Sequence, residues 1–471
     1  MSTERSASVA GVAPEALRSR VLAIDWQAPL RRLWAQSALR WLTVVLAVAL
    51  AVRLVWVVAV QPDPRDGRFD DTVWYYYAAR HLAQGDGYVF PGDAFCRFGD
   101  TIGCDELPPT ALWAPGYPLT LAALFQLPGD DVAWARALNV AAGLALVAGV
   151  YYLGARLWGQ RAGLLAAAIT ALFPSQIFFS SLVLSESLFA ALAVGLLCLA
   201  LAWTMGREAA PWRVFAVGVA AGALAMVRPE GLVFAGVLVL VWLAVHPGKP
   251  GRAAGYTGLL AAGILVLVIP WSVRNAIQLD APVFGTTGLG QVLVQAHHPD
   301  ADGYPEYWIA SDLWNRYAGV SLPEREVRVN SAGIRESLTY AREHPGRELE
   351  LMPQRFAAFY RGDRGALIWN RVPDGAGAQE LSASAADRLG LLSDVYYYAV
   401  IGVGLIGLPF WLRRVRAQHA LLAGPVLVYS VMWALLFTGE ARYHLPLLPV
   451  FALVAAIGLA AITERVWVRG D

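Results

Sequence analysis

The chain has 471 residues, of which 57% are hydrophobic and only 15% charged, and its mean hydropathy is +0.48. Soluble domains carry about a quarter charged residues, so a conventional cytosolic enzyme is excluded. Against 37 Lys and Arg stand 36 Asp and Glu, and a formal net charge of +1 supplies no basic field to hold nucleic acid. Residues 1–40 are polar and carry no short apolar run before a small-residue cleavage site, so the first span is expected to be a retained anchor behind a cytoplasmic segment. A spanning helix needs about 20 mostly apolar residues to cross a hydrocarbon layer roughly 30 Å thick. Ten blocks qualify or nearly do: 41–60, 132–155, 162–180, 184–204, 213–227, 231–246, 254–273, 395–412, 420–437 and 443–462. The fifth and sixth are short.

Basic residues test this series independently, because short cytoplasmic loops collect Lys and Arg. With the amino terminus inside (Arg18, Arg20, Arg31, Arg32, Arg40), every second connection is also basic. Those connections hold Arg156 and Arg161, Arg207 and Arg213, Lys249 and Arg252, then Arg413, Arg414 and Arg416; the tail from 463 to 471 holds Arg465 and Arg469. Ten spans with both termini cytoplasmic satisfy the pattern. The expected fold class is an all-α polytopic membrane protein, its main domain running over 41–462. Two outward loops, 61–131 and 274–394, are too long to be connectors and are expected to carry helices lying along the membrane surface. In the first, Thr72–Gln84 is aromatic and helical in pattern; in the second, Glu324–Tyr360 is amphipathic, with breaks expected at Pro345 and Pro353. Cys96 and Cys104 bracket a short piece of the first loop, where an oxidising exterior permits a disulfide.

Three groups of residues carry possible chemistry. Asp70 and Asp71 stand just outside the first span, directly before the aromatic helix, where paired carboxylates could take a proton from a nucleophile or hold a divalent metal. Capping of that helix uses the same residues equally well. Glu186 lies at the outer end of the fourth span, where an ionisable side chain is costly and points to function; a helix-capping role beside Ser185 is the plain alternative. Arg228, Arg274 and Arg442 stand at outward helix ends against the charge bias, and the planar guanidinium suits a phosphorylated lipid headgroup. Pairing of Arg228 with Glu230 and of Arg442 with Glu440, and snorkelling of Arg274, are the plain alternatives. The runs Tyr75–Tyr77 and Tyr396–Tyr398 read as interfacial belts, and His297, His298 and His444 as exposed-loop or interfacial residues rather than a metal set. No phosphate-cradling glycine loop, HExxH or GxSxG occurs, which disfavours nucleotide hydrolysis, zinc proteolysis and an α/β-hydrolase.

In chain order the motifs are Asp-x-x-Trp-Tyr-x-x-x-Ala-Arg-x-Leu-x-x-Gly-x-Gly from Asp71 to Gly87, then Pro109–Pro118, Ser185-Glu186, Arg228-Pro229-Glu230-Gly231, Pro270-Trp271 with Arg274-Asn275, and Arg442-Tyr443-His444-Leu445-Pro446. Together, over about 41–462, they resemble the polytopic GT-C glycosyltransferases, specifically the bacterial family-39 type related to protein O-mannosyltransferases and aminoarabinose transferases. The resemblance implies a transferase in the inner membrane that uses a sugar on a polyprenyl phosphate and works on the non-cytoplasmic side. It places the catalytic carboxylate on Asp71, with Asp70 second. Because Thr72 follows Asp71 where the family often has Glu, the choice between the two aspartates stays open. By the same likeness Glu186 orients donor or acceptor, Arg274, Arg228 and Arg442 are candidates for the lipid phosphate, and Tyr75, Tyr117 and Tyr443 join them as candidates for phosphate or sugar.

The expected reaction is a single inverting displacement that needs no nucleotide and no required metal, although the two aspartates could host one. The expected partners are the lipid-linked donor, an acceptor of unknown kind and the bilayer. A flippase for lipid-linked saccharides and a polysaccharide polymerase or ligase are the alternatives; the former predicts broken helices and mid-membrane charges.

Overall fold

The computed structural model describes residues 27–65, 71–92, 107–206, 208–246, 248–370, 381–413, 416 and 419–468, with side chains between 37 and 460. Its helices are α1 (Gln27–Ala59), α2 (Asp71–Gln84), α3 (Gly116–Leu124), α4 (Asp131–Trp158), α5 (Gln160–Ala171), α6 (Pro174–Phe178), α7 (Glu186–Trp203), α8 (Pro211–Val227) and α9 (Leu232–Val245). There follow α10 (Pro250–Gln278), α11 (Leu289–Ala296), α12 (Tyr307–Arg316), α13 (Leu322–Glu343), α14 (Pro345–Phe359), α15 (Gly365–Trp369), α16 (Ala383–Leu412), α17 (Ala420–Leu436) and α18 (Leu448–Val468). Short 3₁₀ turns cover Phe179–Ser181, Pro229–Gly231 and Ala441–Leu447. Among the described residues there is no strand, only an isolated bridge between Val89 and Pro109.

Among the described residues six helices are long and apolar enough to cross a membrane: Ser37–Ala59, Asp131–Trp158, Glu186–Trp203, Pro250–Gln278, Ala383–Leu412 and Ala441–Ala460. The chain is therefore a multi-pass helical membrane protein. The remaining expected blocks coincide with the shorter apolar helices Pro211–Val227, Pro229–Val245 and Ala420–Leu436, and with a broken pair. That pair, Gln160–Ala171 and Pro174–Ser181, is bent by 57°, so the third block is not one straight helix. Pro174 lacks an N–H and holds Phe173 in extended geometry, which ends α5. Fully buried Arg53 of α1 closes the break, its Nη1 donating to the carbonyls of Ala171 and of Ala49, each at 3.1 Å.

Small residues set how the helices meet. α8 packs along α10 and α16 along α18. At Gly218 and Gly263 the backbones of the first pair touch, and at Gly407 and Gly458 those of the second, with no space for a Cβ at any of the four. Close backbone approach is how helices gain contact where lipid removes the hydrophobic drive.

The described residues of the two long connecting segments, 61–131 and 274–394, form α2, α3 and α11 to α15, and one break expected there is absent. α13 ends before Pro345, but Pro353 lies inside α14 without a break. The carbonyl left without an N–H partner belongs to Leu349, which is 68% exposed, so water can satisfy it. The two long connecting segments are tied together by Glu326 of α13, which is 1% exposed. It accepts from the Thr110 hydroxyl at 2.8 Å, the Ala111 N–H at 2.7 Å and the Thr287 hydroxyl. Burial raises the Glu326 carboxyl above its ordinary range, opposed by these donors and by Arg274.

Candidate active site

The site forms where helix ends from distant parts of the chain gather on one side of the bundle. Asp71 is the first residue of α2, where its carboxylate complements the positive end of the helix dipole. Gly85 and Gly87 turn the chain out of α2 with φ of +92° and +89°, a region that favours glycine and accounts for the end of the motif. All three tyrosines of the Tyr75–Tyr77 run are buried, at 8%, 2% and 4% exposure, which corrects the interfacial-belt reading. α2 packs against α3 and is buried on most sides, so its aromatics serve as core. In the second run Tyr397 is fully buried and Tyr398 about half exposed.

Arg442 is the second residue of the 3₁₀ segment before α18 and is 7% exposed. Its Nη1 lies 2.8 Å from Oδ2 of Asp71 and 4.0 Å from Oε1 of Glu186, and its Nε 3.1 Å from Oε1 of Glu440. Nη2 donates to the Tyr443 hydroxyl at 2.9 Å, and the guanidinium lies over the rings of Trp369 and Tyr443, 4.7 and 4.8 Å from their centroids. Glu186, 4% exposed, is the first residue of α7, and the Ser185 side chain does not cap that helix. Arg228, the residue that ends α8, places Nη1 3.0 Å from Glu186 and Nε 2.5 Å from Glu230. The Arg228 guanidinium also lies 5.5 Å from the centre of the Tyr443 ring, so this tyrosine stands beside both arginines. The Ser185 hydroxyl accepts from Arg228 and donates to the Tyr75 hydroxyl, both at 3.4 Å. Tyr117 stands behind, fully buried, edge-on to Tyr75 at 5.2 Å.

The structure thus brings Asp71, Glu186, Arg228, Arg442, Tyr75 and Tyr443 into one cluster with Glu230 and Glu440. Arg274 is elsewhere. Its guanidinium donates to the carbonyls of Thr110 at 2.6 Å and Tyr88 at 2.5 Å, and lies over Trp271 at 5.0 Å. It ties α10 to the first long connecting segment and stands outside this cluster, its head group bonded to carbonyls rather than snorkelling. Asp70, Cys96 and Cys104 lie outside the described residues, so the Asp pair and the disulfide do too. His297 and His444 are buried at 7% and 0% exposure, unlike the expected surface histidines. His297 stands 3.0 Å from Glu348, and His444 3.2 Å from Asp363. Among the described residues no three His, Cys, Asp or Glu side chains could share a metal ion.

Electrostatically, four carboxylates face two guanidiniums. Burial raises the Glu440 carboxyl; Arg442 opposes this, while Asp71 and Glu186 add to it. Burial thus favours the protonated form of Glu440. Trp369 and Tyr307 were not visible as site residues. The phenol of Tyr307 is influenced by Glu440, Arg442 and Asp71, although the residue as a whole is 60% exposed. Arginine paired with carboxylates and flanked by aromatic rings makes a preorganised receptor for an anion that can displace the carboxylates.

No protein-family model matches the sequence, and no curated protein matches it either. Solved structures do. The archaeal oligosaccharyltransferase AglB from Archaeoglobus fulgidus, in complex with an inhibitory peptide and a dolichol-phosphate, matches with a TM-score of 0.55 at 13% identity over 94% of this chain. The oligosaccharyltransferase of the same organism in its apo form matches with a TM-score of 0.50 at 14% identity over 91% of this chain. This chain spans about half the length of each, 51%. ArnT from Cupriavidus metallidurans bound to undecaprenyl phosphate gives 0.43 at 15% identity, over 89% of this chain and 78% of that one. The likeness to the oligosaccharyltransferases shows the fold alone, a helical bundle shared with part of those chains.

Proposed function

We propose that this protein is a glycosyltransferase that moves a sugar from a polyprenyl phosphate to an acceptor on the non-cytoplasmic face, with inversion. One observation carries the reading: Asp71 and Arg442, 371 positions apart in sequence, stand 2.8 Å from each other beside Glu186 and Arg228. The fold supports it, since the neighbour AglB was solved with a dolichol-phosphate and a peptide.

In this reading the donor phosphate takes over the guanidiniums of Arg442 and Arg228. As the glycosidic bond breaks, negative charge builds on the leaving phosphate, and fixed cations in a site shielded from water stabilise it. Once Arg442 turns to phosphate, the Asp71 carboxylate is released to take the acceptor's hydroxyl proton from the opposite face of the sugar. A proton on Glu440 lowers the repulsion that an incoming phosphate meets. Glu186 holds Arg228 in place and stays close to the reacting sugar. The energy is stored in the phosphate linkage, so the reaction draws on neither nucleotide nor metal. Asp71, with Asp70, is the place where a divalent ion would bind.

One observation favours the flippase alternative: the broken α5–α6 pair beside the buried Arg53. Asp71→Asn separates the two. General base catalysis contributes about 10²–10⁴-fold, so transfer from a synthetic polyprenyl-phosphate sugar should fall by that order while the protein stays folded. Retained transfer in that variant would overturn the assignment of the base, and retained flipping with no transfer by the wild type would favour the alternative.

A further inference from the structure

Two residues beyond Arg442 the fold buries a histidine that the transfer chemistry does not use. His444 has no exposed surface. Its Nδ1 lies 2.7 Å from the carbonyl oxygen of Phe359, and its Nε2 3.2 Å from Oδ1 of Asp363. A carbonyl oxygen only accepts, so Nδ1 carries a proton; the contact between Nε2 and Asp363 then holds one more, on either side. The ring lies parallel to Tyr397 at 4.9 Å and 12°, and to Tyr360 at 6.3 Å and 9°. Asp363 is itself fixed: its N–H donates to Oδ1 of Asp394 at 2.8 Å, and the Ser393 hydroxyl donates to its carbonyl at 2.7 Å.

The segment that begins at Asp363 then runs along Arg442. At Gly365 an added Cβ would lie 3.0 Å from the Arg442 backbone nitrogen, and at Trp369 the ring lies beneath the guanidinium. One stretch of seven positions thus touches His444, the Arg442 backbone and the Arg442 head group in turn. A 3₁₀ helix advances three residues per turn, so Arg442 and His444 point in different directions, and holding one side chain sets the roll of the other.

We propose that the Asp363–His444 pair is a positioning element that fixes the roll of the 441–447 segment and so presents Arg442 to Asp71 and Glu186. This rests on the reading of Arg442 as the cation that meets the donor phosphate. A misplacement of about 1 Å costs a catalytic group on the order of 100-fold.

The test is His444→Phe, which keeps the stacked ring and removes both hydrogen bonds, beside Asp363→Asn, whose amide can donate to a neutral Nε2. Each is examined in nanodiscs by cryo-electron microscopy and by transfer kinetics with a synthetic donor. His444→Phe is expected to part Arg442 from Asp71, to raise donor KM because Arg442 meets the donor phosphate, and to lower kcat/KM about 100-fold. Asp363→Asn should keep the contact and nearly all of kcat/KM. Asp363→Ala, expected to behave as His444→Phe, serves if the latter does not fold. Arg442 remaining on Asp71 in His444→Phe, equal damage by both Asp363 variants, or failure of His444→Phe and Asp363→Ala alike to fold would each overturn the proposal. A folded wild-type protein without transfer activity would instead remove the functional reading, and the position of Arg442 in the variant structures would still judge the pair.

Discussion

At the scale of single residues, the informative signal was charge where charge is expensive. Glu186, Arg228 and Arg442 stand out from the sequence because an ionised group beside a span must have a partner, and each has one. Arg274 shares their sidedness but not their location: its N–H groups go to the Tyr88 and Thr110 carbonyls. Sidedness is written in the sequence; distance is not. Trp369 and Tyr307 escaped notice because aromatics are common along this chain and only the neighbouring guanidinium gives these two a meaning. Arg442 also dominates the energetics. Arg442→Gln would leave Asp71 and Glu440 without their cation, while Glu186 keeps Arg228, and breaking a buried pair costs about 3–5 kcal/mol. A clear fall in Tm is therefore expected, larger than for Asp71→Asn, because the Asp71 side chain is 28% exposed and water can replace part of its partner. Equal Tm values for the two variants would contradict this ordering.

At the scale of elements, apolar block length and two patterned stretches marked the longer helices, but helix ends depended on chemistry outside those patterns. The break at Pro174 is held because Arg53 donates to the carbonyl of Ala171, whereas Pro353 makes no break because the carbonyl of Leu349 is open to solvent. The same residue type gave opposite results, and the deciding partner was remote in one case and solvent in the other. The tie between the long connecting segments supplies a pH-dependent prediction. Glu326 has a raised carboxyl pKa in the folded protein, against about 4.3 in an unfolded chain. Between those two values the folded state holds a proton that the unfolded state has released, so this group's contribution to stability falls as pH rises through the window. Glu326→Gln should reduce the slope of Tm against pH from the mildly acidic range towards neutrality. An unchanged slope would show that the carboxyl titrates normally; Asp363 and Glu440, raised by burial as well, keep some slope in the variant.

At the scale of the whole molecule, the bundle depends on places where two backbones touch. Gly263 meets Phe215 and Val219 on α8, so Gly263→Leu should force α8 from α10 and cost about 1–3 kcal/mol or more, read as a lower Tm in nanodiscs. Gly255, on the same helix with open space around it, should accept Leu with little loss. Similar effects at both positions would refute the packing account. The apolar blocks, their lengths and the alternation of basic loops were legible without coordinates, because a span's cost of solvation is paid locally, residue by residue. The membrane class, the helical architecture and the short list of charged candidates followed from that. Which of those charges meet did not. The contacts of Asp71 with Arg442, of Glu326 with Thr110 and of Arg53 with Ala171 join residues far apart along the chain, and their distances follow from how the helices pack together, which no stretch of sequence encodes alone.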